Sequence, residues 1–97
     1  MVSTRSNLPE SVYRIFPRDS WQASKRRNQL EPSPIDQNDG FFHLSCREDV
    51  CKTADLYFPG CDIVVVEWPV HVLGPGLRFE AVKARGNRLF PHLYGDL

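Results

Sequence analysis

Asp39-Gly40-Phe41-Phe42-His43-Leu44-Ser45 places three signals in seven residues. With Asn38 before it, Asp39-Gly40 is a turn: Asn and Asp bond back to their own backbone and tolerate left-handed geometry, which Gly adopts freely. From Phe41 onward the chain reads as a strand. A period of two sends Phe42 and Leu44 to one face and Phe41, His43 and Ser45 to the other. Ser45 followed by Glu48 has the spacing of a capping box, so Ser45 is expected to close the strand and cap a helix from Arg47 to Phe58. Val50, Ala54 and Tyr57 or Phe58 recur along that helix at helical spacing. Turn, strand and helix in immediate succession make the fold a mixture of both element types, with His43 and Ser45 on one face.

Upstream, Met1 to Glu10 is polar and is expected to be a disordered leader. Val12 to Phe16 is β-branched and aromatic up to Pro17 and reads as a first strand, placed at a sheet edge. Asp19 or Ser20 supplies an N-cap for a helix from Trp21 to Gln29, which Trp21 docks against the sheet. Lys25-Arg26-Arg27 suits the basic end of that helix. Glu31-Pro32-Ser33-Pro34 reads as a break, so Leu30 to Gly40 is expected to be an extended loop.

Downstream, Pro59-Gly60 stops the second helix. Asp62 to Trp68 is a continuous β-branched run of the kind found in a central strand covered on both faces. Gly74-Pro75-Gly76 turns into Leu77-Arg78-Phe79-Glu80-Ala81-Val82, whose alternation puts Leu77, Phe79 and Ala81 on the core face and Arg78 and Glu80 opposite. Gly86-Asn87 then leads into Leu89 to Gly95, which has no clean period. The order strand, helix, strand, helix, strand, strand predicts a small α+β domain with two helices over residues 11–97.

At 97 residues the chain has room for one core. Twelve basic and twelve acidic side chains cancel, which removes the electrostatic footprint of a protein that grips nucleic acid through its phosphates. The three cysteines are an odd count, and no apolar run opens the chain, so reduced thiols in a cytoplasmic protein are expected. Ile63 to Val66 is the longest apolar run, and nothing approaches a membrane span.

His43, Cys46, Cys51 and Cys61 form no paired knuckle, so no metal is expected. Cys46 points away from the face of His43, which argues against a Cys-His nucleophile pair. Neither a P-loop nor a Rossmann fingerprint is present.

Pro32-Ser33-Pro34-Ile35-Asp36, Asp39 to Ser45, Thr53-Ala54-Asp55-Leu56-Tyr57-Phe58, Leu77-Arg78-Phe79-Glu80 and Leu89-Phe90-Pro91-His92-Leu93-Tyr94-Gly95 occur in this order and at this separation. Together they closely resemble the DUF952 family. By resemblance that family groups with the ADP-ribosyltransferase-like fold, a split β-sheet domain that holds NAD in a cleft between the sheet halves. The resemblance implies that His43 bonds a ribose hydroxyl and that Ser45 orients the nicotinamide ribose or carboxamide. Glu80 is then the catalytic carboxylate beside His43. Tyr94, Tyr57 or His92 supplies the aromatic platform or a proton donor.

Two departures stand out. Leu44 occupies a position where many such enzymes have glycine, and the chain ends at Leu97 where members of the family continue into a further strand. Two functions are therefore carried forward: an NAD-dependent transfer or hydrolysis of ADP-ribose, and a non-catalytic module binding a ligand or protein in the same cleft.

Overall fold

A computed structural model describes residues 9–95 of the chain. The expected leader, apart from Pro9 and Glu10, lies outside the described residues. Five strands and three α-helices follow in the order β1 (Ser11–Pro17), α1 (Arg18–Arg27), α2 (Pro34–Asp39), β2 (Phe42–His43), α3 (Val50–Tyr57), β3 (Ile63–Pro69), β4 (Leu77–Val82) and β5 (Arg88–Leu93). Short 3-10 turns lie at Arg47–Asp49, Val70–Val72, Gly74–Gly76 and Lys83–Arg85. The domain is α+β, with two separate antiparallel sheets, β1-β3 and β2-β5-β4.

The two sheets meet at one antiparallel bridge between Tyr13 and Ser45. Tyr13 N donates to Ser45 O at 2.8 Å and Ser45 N donates to Tyr13 O at 2.7 Å. That junction reverses the strand assignment made from the sequence. β1, expected at an edge, lies between β3 and the bridge to Ser45 and buries Val12, Arg14, Ile15 and Phe16. β3, expected at the centre, pairs with β1 alone among the described strands, and Val65 and Glu67 face outward. A β-branched run reports how well side chains fit a pleated surface, whichever position the strand takes in the sheet.

α1 begins three residues earlier than expected, directly after Pro17, and no side chain caps it. It ends at Asn28 in the left-handed region, with Asp19 in its first turn and Lys25, Arg26 and Arg27 in its last, where they complement the helix dipole. Trp21 packs on Phe16 with ring centroids 5.1 Å apart, which docks the helix on the sheet as expected.

The segment expected to be an extended loop contains α2, a third helix. Ser33 Oγ accepts from Asp36 N, Asp36 accepts from Ser33 N in return, and Pro34 opens the helix. Proline is favoured at that first position, because its missing donor would have had no intrahelical partner. Gly40, with φ 85°, ends the helix.

Ser45 is not a helix cap. Its backbone is spent on the bridge to β1, and Cys46 precedes the 3-10 turn that leads into α3 without any side-chain cap. On β4, Ala81 is exposed and Glu80 half-buried, so the expected core face holds only at Leu77 and Phe79. β5, which lacked a period, is the middle strand of its sheet and buries three consecutive residues, Phe90, Pro91 and His92.

Candidate functional site

The register of the three-stranded sheet decides which side chains meet. His43 of β2 lies opposite His92 of β5, and Arg78 of β4 lies opposite His92 on its other side. Glu80 is two residues further along β4, the diagonal distance from which a long side chain still reaches. His92 Nδ1 and the Tyr94 hydroxyl both meet Glu80 Oε1 at 2.7 Å. These hydrogen bonds, His92 first and Tyr94 second, hold the Glu80 carboxyl below its usual range, so it is ionised at neutral pH. The same bond raises the Tyr94 phenol, which stays protonated.

Phe41 joins this group to His43. Its ring stacks on His92 at 4.0 Å and lies 4.6 Å from the His43 ring and 5.2 Å from Tyr94. The Arg78 guanidinium sits over the outer part of the group, 5.1 Å from the Tyr94 ring centroid.

His43 is held by two carboxylates from α2. Nδ1 meets Asp36 Oδ1 at 2.7 Å and Nε2 meets Asp39 Oδ2 at 2.9 Å. A ring that donates from both nitrogens is an imidazolium. Burial works against that charge, but Asp36 and then Asp39 outweigh it and raise the His43 pKa.

Asp36 is 0% exposed and anchors the cluster. Oδ1 also accepts from His43 N at 3.0 Å, while Oδ2 accepts from Arg14 Nη2 at 2.7 Å and Ser33 N at 2.8 Å. Burial opposes its ionisation, yet the bonds from His43, Arg14 and Ser33 hold its carboxyl far below the usual range. Arg14, 5% exposed on β1, further donates to the carbonyls of His43 and Glu31.

Of the residues singled out in the sequence, the structure joins Glu80, His92 and Tyr94 directly and His43 through Phe41. Ser45 is 4% exposed and Tyr57 is 56% exposed on α3. Neither takes part in the hydrogen bonds or ring contacts that tie the cluster together. Sequence reasoning assigned no part in the site to Arg14, Asp36, Asp39 or Phe41. The Ser33-Pro34-Ile35-Asp36 capping pattern was a signal for Asp36, and the face shared by Phe41 and His43 was a signal for Phe41.

His43 and the cysteines do not gather. Among the described residues, the group of three whose ligand-type atoms all lie within 4.8 Å of one another is Cys46, Glu48 and Asp49, and Arg88 binds Asp49 with two nitrogens at 3.0 Å. Burial, followed by Glu48 and Asp49, pushes the Cys46 thiol up, away from the thiolate a nucleophile needs.

Two concavities lie elsewhere. One, of about 340 Å³, is bounded by Trp21, Leu30, Trp68 and Leu73. The other, of about 740 Å³, lies between α3 and the Lys83–Arg85 turn. No helix of the described residues is long and apolar enough to cross a membrane.

A family model described as "Protein of unknown function (DUF952)" matches residues 15–97. Among solved structures, the crystal structure of protein CC0527 from Caulobacter crescentus is 39% identical over 87% of this chain and 73% of that chain, with a TM-score of 0.80. The solution structure of the same protein is 37% identical over 89% and 73%, with a TM-score of 0.74. No curated protein matches.

Proposed function

The chain belongs to the DUF952 family, and on that footing we propose that the surface around Phe41, His43, Glu80, His92 and Tyr94 binds NAD or a related nucleotide and transfers or hydrolyses its ADP-ribose. The observation that carries this reading is the ionised Glu80 carboxylate, held by His92 and Tyr94 beside a stack of aromatic rings. Cleavage of a nicotinamide glycosidic bond builds positive charge on the ribose. A fixed carboxylate opposes that charge more strongly in the transition state than in the substrate. Phe41 and Tyr94, both half-buried, offer faces for a flat ring, with His92 packed beneath Phe41, and Arg78 offers a cation for a phosphate. Two sheets joined at a single bridge suit the split sheet of the ADP-ribosyltransferase-like fold. Three free cysteines suit a reducing compartment such as the cytoplasm.

A second reading, a non-catalytic module that binds its ligand at the same surface, is favoured by how completely the polar groups satisfy one another. Both nitrogens of His43 are occupied, and one oxygen of Glu80 takes two donors. Titration of NAD into isotopically labelled protein tests both readings. Shifts at the amides of His43, Glu80 and Tyr94, with nicotinamide release abolished by Glu80→Gln, are expected for the enzyme. Binding unchanged by Glu80→Gln and without nicotinamide release selects the module, and no shifts at millimolar NAD reject NAD as the ligand.

A further inference from the structure

The two carboxylates on His43 are held very differently. Asp36 is 0% exposed and meets four donor groups through its two oxygens. It fixes the imidazole at Nδ1, so the ring orientation is set from the core and Nε2–H is aimed outward. Asp39 is the last residue of α2. Its side chain is 34% exposed, and besides His43 its only hydrogen-bond partner among the described residues is the exposed Asn38 amide. Arg14, Asp36, His43 and Asp39 sum to zero charge. Asp39 is the outermost member.

We propose that Nε2 of His43 is an anion-binding point which Asp39 occupies as an internal, displaceable ligand, and that the external ligand takes this place with a phosphate or carboxylate oxygen. This refines the site proposed above and rests on its placement at His43. Withdrawing Asp39 leaves the imidazolium uncompensated at the rim of the cluster, so an anion in its place restores neutrality, which a neutral ligand cannot do. The half-exposed position of Asp39 makes the exchange inexpensive, since its carboxylate passes to water. The groups facing His43 are Asp36 and Asp39 from α2, His92 from β5 and Arg14 from β1 through the His43 carbonyl.

The test compares the unmodified chain with Asp39→Ala and Asp39→Asn by nuclear magnetic resonance. The probes are inorganic phosphate and NAD at constant ionic strength. Asp39→Ala is expected to bind phosphate about tenfold or more tightly, the size of one charge-assisted hydrogen bond no longer contested, with shifts centred on the His43 ring. Asp39→Asn, uncharged and of the same shape, is expected to fall between. Equal phosphate affinity in all three proteins, or shifts that avoid His43, overturns the proposal. If NAD binds but its affinity ignores Asp39, this inference fails while the nucleotide site stands. If phosphate gains affinity in Asp39→Ala and NAD binds to no form, the anion point stands and the nucleotide reading falls.

Discussion

Replacing Asp36 by alanine strands the Arg14 guanidinium, which is 5% exposed and has no other carboxylate against it among the described salt bridges. Breaking a buried pair by removing one partner costs about 3–5 kcal/mol, since the remaining charge keeps its desolvation penalty without its counter-ion. The Ser33 and His43 backbone N–H groups lose their acceptor as well, at about 1 kcal/mol each. Together these losses of about 5–7 kcal/mol compare with roughly 5–15 kcal/mol for a whole domain. With a urea slope of roughly 2 kcal/mol/M, the Asp36→Ala midpoint should fall by about 2.5 M or more, or the protein should be unfolded in buffer. The double variant Asp36→Ala/Arg14→Met removes both charges, and apolar replacement of a buried pair is often neutral or better. Urea unfolding of the double variant should therefore show recovery over Asp36→Ala. A double variant less stable than Asp36→Ala, or an Asp36→Ala loss under about 1 kcal/mol, would refute the account of this pair as a mutually dependent buried unit.

The depressed Asp36 pKa supplies stability that is present above the unfolded value of about 3.9 and is lost as pH falls toward the folded value. The raised His43 pKa supplies stability that is complete below about 6.5 and is lost as pH rises through its folded value. The thermal midpoint should thus be highest between about pH 4 and 6.5, with an alkaline decline that His43→Gln flattens. A midpoint that climbs from pH 6.5 to 8 contradicts this. At Gly76 a Cβ would run into the Tyr94 carbonyl, while Tyr94 N donates to Gly76 O at 2.8 Å. Gly76→Ala should therefore cost about 1–3 kcal/mol in thermal unfolding. The Tyr94 ring resonances should report loss of the Glu80 contact, and unchanged spectra would show that the backbone yields without moving Tyr94.

The fold was most legible where a residue's fate depends on its near neighbours. β1, β3 and β4 stand close to where alternation and turn residues put them, and Trp21 packs on Phe16. α2 is hidden in the sequence because two prolines in three residues read as breakers, although Pro34 occupies the one helical position that suits it. Which strand is central could not be read from β-branched runs, since a single backbone bridge at Tyr13 decides it. The same bridge overrode the capping pattern at Ser45. At the candidate site, His92 and Tyr94 meet Glu80 through register across β4 and β5. The carboxylates that orient His43 looked like ordinary turn acids, because their role depends on an arginine 22 residues upstream of Asp36.

That dependence explains why the candidate site and the core cannot be separated. Arg14 leaves the most buried strand of the first sheet, reaches the carbonyl of His43 on the second, and holds the Asp36 oxygen opposite the one that grips the His43 ring. The position of the imidazole is thereby set by the junction of the two sheets. Any displacement of β1 relative to β2 must break the Arg14 bonds, the Tyr13–Ser45 bridge, or both. A ligand at His43 therefore meets a ring already fixed at Nδ1 and at its backbone, with little orientational entropy left to lose. The freedom that remains lies on the opposite side of the ring, in the partly exposed Asp39 side chain. Recognition at this surface should proceed by exchange of side chains on a rigid sheet, with backbone amides of β1 and β5 protected from hydrogen exchange to the same degree with and without ligand.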